Sequence, residues 1–173
     1  MKKPARTCLI VAPALLAGAV LSQNFTYVGA GKCRVCHRTE KQGRQYSKWE
    51  ESRHSRSLTT LNSADVAARA AKAGVKNPAE NPGCLRCHAP LAVKAPELKA
   101  EGVSCEACHG PGSEYKKLSV MKNGDEAVKN GLVPFANAEA VKAMCLNCHA
   151  NAHDKPFEFT SAWEKIEHPI PEK

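Results

Sequence analysis

The amino-acid sequence predicts a mainly α fold with extensive coil, in a single domain. Three observations carry that prediction. No stretch alternates apolar and polar residues long enough to make a strand. The 173 residues include only two Trp, three Tyr and four Phe, thin material for a core of side chains alone. Of nine cysteines, eight form four pairs with the same two-residue gap: Cys33/Cys36, Cys84/Cys87, Cys105/Cys108 and Cys145/Cys148.

Along the chain, Lys2, Lys3 and Arg6 precede the apolar run CLIVAPALLAGAVL. That is the pattern of a signal peptide, assigned to residues 1–22, with the domain over 23–173. Pro13 interrupts the run, which falls short of the roughly 18 residues a membrane span needs. Export to the periplasm or beyond follows, with no stable membrane span after cleavage. Residues 39–60 then read as one helix, with Tyr46, Trp49 and Arg53 at i, i+3 and i+7. Ser63 caps a second helix that Gly74 closes. Residues 75–83 are a turn-rich connection and residues 89–97 a Pro-rich loop. Gly110-Pro111-Gly112 breaks the chain. Asn137 caps a helix that ends in the last cysteine pair, and a short helix from about Ser161 stops at Pro169.

An exported chain with eight paired cysteines first suggests disulfides. A histidine, however, follows every second cysteine: His37, His88, His109 and His149. Disulfides do not require it, and a zinc ribbon needs four ligands per ion without a fixed His after each pair. Haem c attachment requires all three residues, two thiols for the vinyl thioethers and an imidazole for the iron. From this composition a random Cys-x-x-Cys-His is expected on the order of 0.02 times. Four copies therefore imply four covalently bound haems c, with the porphyrins supplying much of the core. The motifs begin at 33, 84, 105 and 145, too unevenly for a tandem repeat. The formal charge of +8 is then no sign of nucleic-acid binding. Haem propionates offset it, and the Lys and Arg residues form rims for redox partners.

Four irons have eight axial positions, and the chain has seven histidines. His37, His88, His109 and His149 are proximal candidates. His54, His168 and His153 remain as distal candidates, so at least one haem lacks a distal His from this chain. His153 follows His149 too closely to reach the far face of the same haem. Tyr115 and Met121 are the non-histidine alternatives. Glu106, inside the third motif, reads as a solvated linker residue.

With these motifs the chain resembles the tetrahaem cytochrome c-554/c-prime family, from about Tyr27 to Pro169. The likeness rests on YVGAGKCRVCH, on WEESRH with Trp49 five residues before His54, on VSCEACHGPGSEY, and on CLNCH followed by KPFEF and WEKIEHP. The resemblance implies a helical fold with haems in closely packed pairs. It also implies mostly bis-His ligation, one haem on the second motif without a sixth protein ligand, and distal roles for His54 and His168. Relatives commonly offer a His after the Gly-Pro-Gly loop for the first haem. This sequence has Tyr115 there and no His from 110 to 148, which leaves His153 as the substitute.

The expected function is single-electron transfer between redox partner proteins, without a catalytic residue. Two other classes remain open: a haem enzyme acting on a small nitrogen or sulfur compound at an open haem, and a homo-oligomeric haem filament.

Overall fold

Gly29, with φ at 84°, turns the chain into the first helix, α1 (Ala30–His37), which carries the first cysteine pair. The computed structural model describes residues 24–150 and 156–168. The signal-peptide segment, His153 and Pro169 lie outside the described residues.

The single helix expected over 39–60 is three shorter pieces: a 3-10 turn at Glu40–Gln42, α2 (Gln45–Glu51) and α3 (Ser57–Thr60). Gly43 and Arg44 both adopt left-handed φ, 85° and 54°, and this breaks the ladder at the position where glycine weakens the pattern. Ser52 makes the second break. Its hydroxyl donates to the Trp49 carbonyl at 2.7 Å and accepts from the His54 amide at 3.1 Å, replacing the helical bonds with local ones.

Helix α4 (Ala64–Lys72) follows the sequence reading. Ser63 accepts from the Val66 amide, Asp65 pairs with Arg69 one turn on at 2.7 Å, and Gly74 closes the end at φ 75°. Asn81 accepts from the Gly83 and Cys84 amides, and with Pro82 in the first turn it starts α5 (Pro82–His88). Helix α6 (Cys105–His109) carries the third pair. Two short helices that the sequence did not suggest, α7 (Leu118–Met121) and α8 (Gly124–Lys129), fill the long connection. Asn137 caps α9 (Ala138–His149) by accepting from the Ala140 amide at 2.9 Å. The tail helix α10 (Phe159–Trp163) begins two residues before Ser161.

The described residues are therefore helix and coil with no strand, and none of their helices is long and apolar enough to cross a membrane. Their apolar core is small. Leu61, Ala79, Leu85 and Ala89 cluster beneath the second motif, with Leu58, Val66, Cys84 and Ala92 against them. The largest fully buried side chain is a carboxylate, that of Glu106.

Candidate haem-binding site

Each Cys-x-x-Cys-His stretch is helical here. Positions i, i+3 and i+4 share one face of a helix, so two thiols and an imidazole stand together in each motif. The four motif helices pair across long sequence distances. Helix α1 packs on α6, and α5 packs on α9. Cys33 and Cys105 lie within hydrogen-bond reach of each other, as do Cys87 and Cys148, while Cys108 is electrostatically close to Cys145. The spatial order of the motifs is thus first, third, fourth, second. All eight thiols are free rather than in disulfides.

The imidazoles meet in twos. The ring centres of His54 and His149 are 6.2 Å apart, and those of His109 and His168 are 5.9 Å apart. Two imidazoles bound on opposite sides of one metal, each nitrogen about 2 Å from it, hold their ring centres about 6 Å apart. The pairs therefore fit two bis-His irons. The paired rings also come from chain segments far apart in sequence, as a clamp around one cofactor requires. Phe157 stacks on His149 at 4.6 Å, and Phe135 meets His109 edge-on at 5.8 Å.

Protonation and tautomer suit the same role. Burial, and less strongly His168 and His37 nearby, brings His109 down to about 4. Burial likewise lowers His54 and His149. Neutral imidazole is the form that ligates metal. The His88 Nδ1–H donates to the Ser57 carbonyl at 2.9 Å, that of His37 faces Gln45 Oε1 at 3.3 Å, and that of His168 faces the Ile166 carbonyl at 3.2 Å. Each contact selects the tautomer that presents an Nε2 lone pair to a metal.

Glu106 corrects the sequence reading. It is 1 % exposed, not a solvated linker. Its carboxylate accepts from the amides of Val28 (3.0 Å), Gly29 (2.7 Å) and Gly112 (2.6 Å). The turn into α1 and the Gly-Pro-Gly loop both leave backbone N–H groups without helical partners, and the two oxygens of one carboxyl side chain accept from them. Glu101 does similar work one step away. Both its oxygens lie 3.0 Å from the Ala30 amide, and burial raises its carboxyl above the usual range. Little of either role was legible locally, since the donors in the turn into α1 lie 71 to 78 positions away and only Gly112 is near, six residues on. The available signal was the Gly-Pro-Gly, whose turn frees the Gly112 amide.

Tyr115 is 4 % exposed, and its hydroxyl donates to the Gly110 carbonyl at 2.9 Å. Burial first, then the nearby Cys33 and Glu106, pushes its phenol up. A neutral phenol spent on a carbonyl anchors the Gly-Pro-Gly loop and is a poor iron ligand. Met121 is half-buried at the end of α7.

The thiols, the imidazole pairs and the tautomers fit covalently held haem, and comparison with known proteins agrees. The family described as cytochrome c554 and c-prime matches residues 32–110, a span that includes three of the four motifs and His54. Cytochrome c-554 of Nitrosomonas europaea is 25% identical over 174 residues, covering 90% of this chain and 72% of that protein. No solved structure matches. Cytochromes of this kind hold haem c covalently and carry electrons between redox partners. Over these residues the chain is similar to the cytochromes c-554 and c-prime, and the similarity supports a c-type cytochrome of that kind.

Proposed function

We propose that the chain is a periplasmic tetrahaem electron carrier, exported by residues 1–22. Cys33 and Cys36, Cys84 and Cys87, Cys105 and Cys108, and Cys145 and Cys148 hold the four haems. His37, His88, His109 and His149 are the proximal ligands. His54 stands opposite His149 on the fourth haem, and His168 opposite His109 on the third. Bound haem supplies one-electron iron chemistry at each site. The protein's own part is to hold the motifs in contact, keep the imidazoles neutral, and orient them. Exposed basic side chains around the motifs serve docking of redox proteins.

The observation that carries this reading is the pair of imidazole contacts at bis-His separation. The test is a pyridine haemochrome count with mass spectrometry, followed by electron paramagnetic resonance of the oxidised protein. Four haems per chain are expected. His54→Ala and His168→Ala should each remove one low-spin signal, and the two losses should differ. A lower haem count, or low-spin signals intact in both variants, would overturn the reading.

A further inference from the structure

We infer that Ser57 is a positioning residue for His88, and so for the iron of the second motif; this rests on the tetrahaem reading above. Ser57 holds His88 at two points. Its carbonyl accepts from the His88 ring at Nδ1 (2.9 Å), and its hydroxyl lies 2.7 Å from the His88 carbonyl. The residue that offers the ring an acceptor is also tied to the backbone of the histidine it orients.

The hydroxyl has one proton and two carbonyls at 2.7 Å, those of His54 and His88. The His54 carbonyl already accepts from the Ser57 amide at 3.2 Å and the Val103 amide at 3.0 Å. With two amide donors already on the His54 carbonyl, we assign the hydroxyl proton to the His88 carbonyl at the end of α5. The Val103 N–H is shared between the His54 carbonyl and the Ser57 hydroxyl oxygen, 3.0 Å from each.

Two features show that the site is built for this contact. Gly102, at φ 65°, lets the chain pass so close that an added Cβ would stand 2.7 Å from the His54 carbonyl oxygen and closer still to Ser57 Oγ. Trp49 reaches the same segment by donating from Nε1 to the Val103 carbonyl at 2.8 Å. Ser57 thus joins the backbone of His54, the ring and backbone of His88, and the strand of chain leading into the third motif.

An acceptor on Nδ1 strengthens a histidine as a metal donor and fixes the plane of its ring. A stronger donor favours the oxidised iron, so Ser57 holds the potential of the second haem down. Removing the hydroxyl loosens the clamp while leaving the carbonyl in place.

The test is a spectroelectrochemical titration of holoprotein carrying Ser57→Ala, with Ser57→Thr as the conservative variant. The second-motif component is identified by its absence from a Cys84→Ala/Cys87→Ala double variant. Ser57→Ala should move that component to higher potential at unchanged haem content, with little movement of the first and third, and Ser57→Thr should restore it. An unmoved second component, an equal shift of all four, or failure of threonine to restore it would overturn the inference. If Ser57→Ala loses haem, Ser57→Thr still decides: a wild-type potential supports the clamp and a shifted one rejects it. A wild-type protein with fewer than four haems would overturn the underlying reading instead, by a separate measurement.

Discussion

The half of the molecule around the first and third motifs is fastened by a buried carboxylate, Glu106, and a half-buried one, Glu101; the region around the second motif is fastened by apolar packing and neutral hydrogen bonds. In the first half, Glu106 and Glu101 together accept from the amides of Val28, Gly29, Ala30 and Gly112. In the second, Leu61, Ala79, Leu85 and Ala89 form the cluster beneath α5, and Ser57 links the histidines. The difference follows from local backbone needs. A glycine turn into α1 and a Gly-Pro-Gly loop leave amides without helical partners, and a carboxyl side chain with two acceptor oxygens satisfies several at once. Helix α5 starts on its own Asn81 cap, so its surroundings only need to pack. Hydrogen bonds to charged groups are worth roughly twice neutral ones, which lets the first half manage with few apolar side chains.

The strongest way to break this contrast is Glu106→Ala. It strands two buried amides and one part-buried amide, each at about 1–3 kcal/mol, so a loss of about 4 kcal/mol or more is expected in thermal unfolding of the holoprotein. The first and third haem signals should broaden before the others. An unfolding temperature within a degree or two of wild type would mean the carboxylate is not what holds this half.

Gly102→Ala tests the other half. A methyl group there meets the His54 carbonyl and the Ser57 hydroxyl and imposes a side chain on φ 65°. About 2–3 kcal/mol of destabilisation is expected, with disturbance concentrated in the second and fourth haem signals. Equal disturbance of all four signals would argue against two separately fastened halves.

The smallest effect is expected from Tyr115→Phe, which removes the hydroxyl that donates to the Gly110 carbonyl. About 1 kcal/mol of stability should go. Electron paramagnetic resonance should be unchanged, because the phenol anchors a loop. A new spin state in this variant would make Tyr115 a ligand and unite the loop with the first haem.

Much of the site was legible because its chemistry is local. Two thiols and an imidazole within five residues define a haem c motif wherever the helix goes. Caps such as Ser63, Asn81 and Asn137 act within three residues. His54 and His168 stood out as spare imidazoles because four haems on the four motifs would have eight axial positions to fill. The helix assigned to 39–60 failed because the break at Arg44 depends on a left-handed conformation that no local propensity demands of arginine. Glu106 was misread because a glutamate in a short helix is usually solvated, and its amide partners arrive from both sides of the motif.

The sequence by itself determined which residues can hold cofactor, how many motifs there are and where several helices begin, since those properties act over one or two turns. Only the tertiary structure decided that His54 faces His149 and His168 faces His109, that the motifs adjoin in the order first, third, fourth, second, and that a carboxylate rather than an apolar side chain is buried between the first and third. Those outcomes depend on contacts between segments 37 (Cys108 to Cys145) to 95 (His54 to His149) residues apart, where packing and the satisfaction of buried amides govern the result.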